Sequence, residues 1–306
     1  MPHVAVIGMG RMGAAMARRL AEAGFELTLW NRTSATARSV ADDIGAQVAS
    51  TAEEAAASAE IVLASLADDA AVTETHLGAE GVLAGASPGS VVIETSTVDP
   101  RTITELGPRY TERGAHLLDS PVSGSVALVE QGALTAMVGG EADALDRVRP
   151  ILDALTKAVY HLGPNGTGAT MKLAVNSLVH ATNLAISEAL LLAERAGVER
   201  SKAYEVFANS AAASPFLLYK RAAFERPEET PVAFSVDLMQ KDLDLILTLA
   251  ERVGLPMAQL GTTSDVTGVA VSAGFGDRDM SSLATLLREG MAASGPDHQP
   301  ENGAPT

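Results

Sequence analysis

Three groups of residues have types and spacings that do chemistry. Near the N-terminus, GMGRMG places Gly8, Gly10 and Gly13 between an apolar run, His3 to Ile7, and a helical segment reaching about Ala23. In that order the first glycine makes a tight turn, the second lets a pyrophosphate approach the backbone, and the third lets helix and strand pack closely. The helix N-terminus adds unpaired N–H groups and a partial positive charge for the phosphates. Met9, Arg11 and Met12 complete the lining of this loop. A second apolar run ends at Trp30, and Asn31, Arg32, Thr33 and Ser34 follow where an NAD site usually carries an acid for the ribose hydroxyls. The Arg32 guanidinium suits the 2′-phosphate of NADP instead. NADP(H) is therefore the preferred cofactor, and NAD(H) stays open if Arg32 is merely solvated at a strand end.

The second group lies in MKLAVNSLVHATNLAISEALLLAERAG, where Lys172, Asn176, His180, Asn183 and Ser187 recur at spacings of three and four. At ~100° per residue they fall within an arc of roughly 80°, a narrow polar stripe on a mostly apolar helix. Such a stripe is expected to face a cleft or its counterpart in a partner subunit. The chain has only five lysines among its 22 basic residues, so one inside an apolar helix asks for a reason. Lys172 is of the type that protonates the developing alkoxide of a carbonyl under reduction, with Asn176 one turn on to hold substrate or lysine. A salt-bridged lysine with amides bonding across helices fits the stripe equally well. His180 reads more readily as a packed histidine than as a proton shuttle.

The third group is DSPVSGSVALVEQGALTAMVGG. It follows an apolar strand, at the end where open parallel sheets place their ligands. Ser123, Gly124 and Ser125 offer hydroxyls and backbone N–H groups to a carboxylate, although a purely structural turn has the same composition. Ser96 and Thr97, closing GSVVIETS, occupy another strand end near the nicotinamide or substrate, and Leu66 in EIVLASL is counted with the cofactor residues. Lys241, in VDLMQKDLDLILTLAERVG, reaches cofactor or acid substrate unless it is a surface lysine. The histidines are scattered with no metal-ligand spacing, so no metal is expected.

The elements that must position these groups change character along the chain. The first half alternates β-rich runs with helical stretches, as a parallel sheet covered on both faces requires. From about Gly166 the sequence turns to long Ala/Leu-rich segments without a convincing strand, and LGPNGTG is rich in turn formers. The expected architecture is an α/β Rossmann-type N-terminal domain over 1–163, an all-α domain over 164–294 and a disordered tail over 295–306, with a long interdomain helix. At 306 residues, 47% hydrophobic and 20% charged, global disorder is excluded. Absence of cysteine excludes disulfides and thiolate chemistry. A net charge of −16 gives no support to nucleic-acid or anionic-membrane partners, and neither a leader nor a membrane span is evident, so a cytoplasmic protein is expected.

Taken together, GMGRMG with NRT, DSPVSGSVALVEQGALTAMVGG, GTGATMKLAVN and the late KDL at Lys241 to Leu243 resemble the β-hydroxyacid dehydrogenase family over about residues 3 to 290. That family includes the 3-hydroxyisobutyrate dehydrogenases and the glyoxylate/succinic semialdehyde reductases and is related to 6-phosphogluconate dehydrogenase. The resemblance implies that Lys172 is the general acid in reduction and general base in oxidation, assisted by Asn176. It implies that Ser123 and Gly124 anchor substrate, with Ser125 and Ser96 nearby, and that Lys241 contributes to the active site. Gly8, Met9, Gly10, Met12, Asn31 and Arg32 would line the cofactor site. Ser120 and Ser125 depart from the usual DAPVSGG, the latter in the manner of the glyoxylate and succinic semialdehyde reductases. No basic side chain follows the turn at Val126 and Ala127, so a small unphosphorylated hydroxyacid or semialdehyde is the expected substrate. Imine reductases share the fold and the NADP preference, which makes imine reduction the alternative. A non-catalytic nucleotide-binding scaffold is the second alternative. The family's habit of associating through the helical domain implies a homodimer or homotetramer.

Overall fold

Short runs of aliphatic and β-branched residues, each followed by a helix, build the first half of the chain. In order these are β1 (Val4–Ile7), α1 (Arg11–Glu22), β2 (Leu27–Trp30), α2 (Ser34–Ile44), β3 (Gln47–Val48), α3 (Ala52–Ala57), β4 (Ile61–Ala64), α4 (Asp69–Leu77), α5 (Val82–Gly85), β5 (Val91–Glu94), α6 (Pro100–Glu112) and β6 (His116–Asp119). They continue through β7 (Val122–Ser123), α7 (Val126–Glu130), β8 (Leu134–Gly139), α8 (Ala142–Leu155) and β9 (Thr156–Gly163). This is a computed structural model, and it describes residues 1–293. The tail expected over 295–306 lies outside the described residues.

The sheet runs β3-β2-β1-β4-β5-β6-β8-β7, with β9 paired to β8. Strands β1 to β6 are mutually parallel where they pair, and β8 is antiparallel to both β6 and β7. Side chains alternate between the two faces. Val4, Val6, Leu29, Leu63 and Ile93 pack on Met16 and Leu20 of α1 and Val148 and Ile151 of α8. Ala5, Ile7, Val62 and Val92 pack instead on Ala55 of α3 and Ile103 and Leu106 of α6. Register places Trp30, Ile7, Ala64, Glu94 and Asp119 side by side, each closing its strand. Every loop singled out by the sequence therefore leaves from one edge.

The second half is helical: α9 (Thr167–Arg195), α10 (Arg200–Ala208), α11 (Pro215–Glu225), α12 (Val236–Arg252), α13 (Ala258–Ser272), a 3₁₀ turn over Met280–Ser282 and α14 (Leu283–Ala293). The chain divides into two units, Met1–Val175 and Asn176–Thr306, inside α9. The turn-rich sequence places the boundary at 163/164, and the first turn of α9 is hydrogen-bonded to the sheet. Ser214 and Ser235 cap α11 and α12 through Leu217 N and Leu238 N.

Some elements escaped the sequence pattern, α13 and β9 among them. Helix α13 buries Leu260, Thr263, Thr267 and Ala270 at helical spacing, in a segment rich in Thr, Ser and Gly. Its buried threonines donate back to Gln259 O at 3.0 Å and Thr263 O at 2.7 Å, so polar residues line an inner face without losing hydrogen bonds. Strand β9 is mostly exposed or half-buried, which removes the alternation that would mark it. In the helical unit, Lys220 Nζ of α11 lies 2.7 and 2.8 Å from the two carboxylate oxygens of buried Asp279. Among the described residues no helix is long and apolar enough to cross a membrane.

Candidate active site

The glycine loop has two glycines that its own chain requires and one that it does not. Gly8 has φ +90°, and a Cβ there would lie 2.3 Å from Ser65 O; a Cβ on Gly13 would lie 1.9 Å from Gly8 O. A Cβ on Gly10 would meet nothing within 4 Å. Gly8 and Gly13 are thus fixed by the packing of loop on β4 and helix on loop, while Gly10 leaves open the space a pyrophosphate takes. Gly10 is also the N-cap of α1, with no side-chain cap and no acid in the first turn, so the amides there are available to an anion. The residues present fit a dinucleotide.

Asn31 joins two parts of the loop region. Its Oδ1 accepts from Met9 N at 2.9 Å and its Nδ2 donates to Thr33 O at 3.1 Å, so the carboxamide ties the glycine loop to the end of β2. Arg32 and Thr33 are exposed, and Thr33 is the N-cap of α2 without a side-chain cap bond. Ser34 Oγ accepts from Arg38 at 2.8 Å. No acid lies in the first turn of α2, so this corner presents guanidinium and hydroxyl groups to solvent. Leu66 and Ser96 are joined across the neighbouring strand ends, Leu66 N donating to Ser96 Oγ at 2.7 Å. Thr97, next in line, is half-buried.

Beside them, Ser123 closes β7, Gly124 takes φ +141°, and Ser125 is the N-cap of the five-residue α7. Both serines are half-buried, and their hydroxyls make no hydrogen bond among the described residues. The helix that bears Lys172 starts from the same edge. Asp119 Oδ1 accepts from Gly166 N at 2.9 Å and Oδ2 from Ala169 N at 2.9 Å, which caps α9 on the end of β6. Asn165 Nδ2 reaches Leu117 O at 2.8 Å and reinforces the join. Burial raises the Asp119 carboxyl above the usual carboxylate range, and the donors at Ala169, Gly166 and Asn165 only partly offset it. Gly168 permits the close approach, since a Cβ there would sit 2.4 Å from Met137 O. Lys172, half-buried, stands three residues beyond Ala169.

The remainder of the polar stripe turns inward. Asn176, His180, Asn183 and Ser187 are buried in the helical unit. Asn176 Nδ2 donates to Asp242 Oδ2 at 2.6 Å, Asn183 Nδ2 to Met280 O at 2.8 Å, and Ser187 Oγ to Asn183 O at 2.8 Å. Elements α12 and the 3₁₀ turn supply acceptors that the stripe needs, so its polarity is consumed within the fold. His180 Nε2 lies 3.6 Å from Asp242 Oδ2, beyond hydrogen-bond reach, with its ring against Phe234. Lys241 Nζ is 3.3 Å from Asp242 Oδ1, and Asp242 itself is buried. Sequence reasoning gave no role to Asp119, which holds Gly166 and Ala169, or to Asp242, which holds Asn176. The signals were present in DSPVSG and KDL, but attention fell on the serines and the lysine.

Residues 3–163 match the family described as the NAD binding domain of 6-phosphogluconate dehydrogenase. Residues 166–287 match the family described as NAD-binding of NADP-dependent 3-hydroxyisobutyrate dehydrogenase. The chain is 31% identical over 285 residues to glyoxylate/succinic semialdehyde reductase 2, chloroplastic, of Arabidopsis thaliana, covering 93% of this chain and 79% of that one. It is 31% identical over 298 residues to the NAD-dependent L-serine dehydrogenase of Pseudomonas aeruginosa strain PAO1, covering 94% and 98%. Among solved structures, 3-hydroxyisobutyrate dehydrogenase from Salmonella typhimurium superposes with a TM-score of 0.85 at 28% identity, over 93% of this chain and 99% of that one.

Proposed function

The chain belongs to the β-hydroxyacid dehydrogenase family of pyridine-nucleotide oxidoreductases, and from that premise we propose that it interconverts a small unphosphorylated hydroxyacid and its aldehyde or semialdehyde with NADP(H). The observation that carries the reading is the capping of α9 by Asp119, which starts the lysine-bearing helix from the same strand edge as the open glycine loop. When bound, the dinucleotide supplies or accepts the hydride at its nicotinamide C4. Gly8 to Gly13 hold the pyrophosphate, with Met9 and Met12 lining the loop and Asn31 fixing its shape. Leu66, Ser96 and Thr97 border the nicotinamide. The hydroxyls of Ser123 and Ser125 and the amide of Gly124 receive the substrate carboxylate. Lys172 gives a proton to the substrate oxygen in reduction and takes it back in oxidation. The family resemblance assigns further roles to Asn176, which donates to Asp242, and to Lys241. Helix α9 also leaves Leu178 and Leu192 exposed, two heptads apart, which supports self-association of the helical unit.

Arg32 is assigned the NADP 2′-phosphate, because an exposed guanidinium beside an uncapped, acid-free helix start favours a dianion over two hydroxyls. The test is steady-state reduction of glyoxylate, succinic semialdehyde, tartronate semialdehyde and a cyclic imine with each cofactor. Expected are turnover of an acid aldehyde with NADPH ahead of NADH and, in Arg32→Ala, a loss of about 10- to 100-fold in kcat/KM for NADPH with NADH changed less than about twofold. Equal losses with both cofactors would refute the Arg32 assignment. Turnover of the imine alone would move the chain to imine reduction.

A further inference from the structure

Beneath the edge at Ser96 runs a chain of polar groups that none of the roles above uses. Tyr110 of α6, His76 of α4 and Glu94 of β5 are each fully buried. His76 Nδ1 is 2.6 Å from Tyr110 Oη, and His76 Nε2 is 2.8 Å from Glu94 Oε2. Glu94 Oε1 accepts from Ser96 N at 2.8 Å, and Ser96 Oγ accepts from Leu66 N. Donor and acceptor roles then follow a single direction. A carboxylate can only accept, so His76 Nε2 carries a hydrogen, and in that neutral tautomer Nδ1 is the acceptor for the Tyr110 hydroxyl. Burial, followed by the Glu94 charge, holds the Tyr110 hydroxyl well above its usual pKa, in keeping with its place as donor.

An isolated acid, imidazole and phenol in a protein interior are costly, and a fully connected chain is the arrangement that tolerates them. Its outer end is the informative part. With Leu66 N on its oxygen, the Ser96 hydroxyl still has a hydrogen to donate, and it makes no further hydrogen bond among the described residues. Leu66 in turn adjoins the glycine loop, its Cδ2 lying 3.1 Å from where a Cβ on Gly8 would be.

We infer that the Tyr110–His76–Glu94 chain is a positioning device that holds the Ser96 hydroxyl and the Leu66 amide in register with the glycine loop, so that Ser96 donates to an acceptor oxygen of the bound ligand. That oxygen belongs to the nicotinamide carboxamide or to the substrate carboxylate. The inference rests on the hydride-transfer reading and concerns positioning residues, since none of the three touches the reacting atoms.

The test is a double-mutant cycle between Glu94→Gln and Ser96→Ala, read both as NADPH dissociation constant by fluorescence titration and as kcat and KM for the acid aldehyde. Glu94→Gln keeps the shape but puts an amide donor against either Ser96 N–H or His76. Facing His76 it forces the ring to switch tautomer and reverses the chain; facing Ser96 it breaks the bond to Ser96 N–H. Each single variant is expected to lose about tenfold, and the double variant is expected to fall no more than about twofold below Ser96→Ala. A loss in NADPH affinity identifies the carboxamide as acceptor; a loss confined to aldehyde KM or kcat identifies the substrate. Tyr110→Phe, which removes only the terminal hydroxyl, stands in for Glu94→Gln if that variant does not fold. Multiplicative losses, or wild-type behaviour of Glu94→Gln, overturn the inference while leaving hydride transfer intact. A wild-type chain that neither binds NADPH nor turns over any acid aldehyde overturns both.

Discussion

Lys172→Met is expected to lower kcat/KM for reduction of an acid aldehyde by about 100- to 10,000-fold, the range ascribed to a positioned acid or base, with NADPH affinity changed less than about twofold. Methionine preserves the length and flexibility of the stem and helix propensity, so packing of α9 is maintained and only the proton donor is lost. The loss should appear in kcat more than in KM, because Lys172 acts on an oxygen whose charge develops in the transition state. The half-buried setting of Lys172, one turn beyond the Asp119 cap, fits a group held at a defined place and reached by a ligand. Stopped-flow single turnover beside fluorescence titration separates chemistry from binding. A variant that reduces the aldehyde at the wild-type rate would remove Lys172 from the mechanism.

The second large effect is on stability and concerns Lys220. Its ammonium makes both of its recorded hydrogen bonds to Asp279, whose carboxylate also accepts from Ala233 N at 3.0 Å and Ser281 N at 3.1 Å. Burial lowers the Lys220 pKa despite its partner. For Asp279, burial acts upward, but the Lys220 charge and the amide donors outweigh it and leave the carboxyl below its usual range. Lys220→Met strands a buried carboxylate and is expected to cost about 3–5 kcal/mol, measured by urea unfolding of the helical signal. The pH dependence gives the sign. A depressed folded-state pKa contributes stability above the unfolded value of about 3.9 and loses it as pH falls through the folded pKa. In Lys220→Met the ammonium is gone and burial raises the Asp279 pKa, so that variant gains stability as the carboxyl protonates. The gap between the two proteins should therefore narrow in acid. A gap that is constant or widens below pH of about 4 would mean that Lys220 stabilises through packing alone.

The parts of the site that were legible in the sequence are those written in consecutive residues. GMGRMG between a strand and a helix carries its own geometry, because the chain packing that demands Gly8 and Gly13 comes from adjacent elements. The long helix was equally visible from its Ala/Leu content, and the outlines of α1 and α2 followed from their apolar spacing. What stayed hidden depends on partners distant along the chain. Asp119 caps a helix 47 to 50 residues away, and His76 meets Glu94 on one side and Tyr110 on the other, three residues from three separate elements. No periodicity encodes such meetings; strand register brings them about. Polar spacing on α9 is a related case: the spacing locates a face, while the acceptors in α12 and at Met280 decide what that face meets within the fold. Asn31 shows the same limit on a smaller scale, since residue type does not tell that both ends of its carboxamide hold the loop.

Hydride transfer is tested most directly by following the label. The chain is mixed with an acid aldehyde and NADPH deuterated at nicotinamide C4, on one face and then on the other, and the product is analysed by NMR. The expected product is the hydroxyacid with deuterium on the carbinol carbon, formed from one face of the cofactor alone and at a rate that collapses in Lys172→Met. Hydroxyacid without deuterium from both labelled cofactors, or label delivered only to the amine carbon from a cyclic imine, would contradict the assignment.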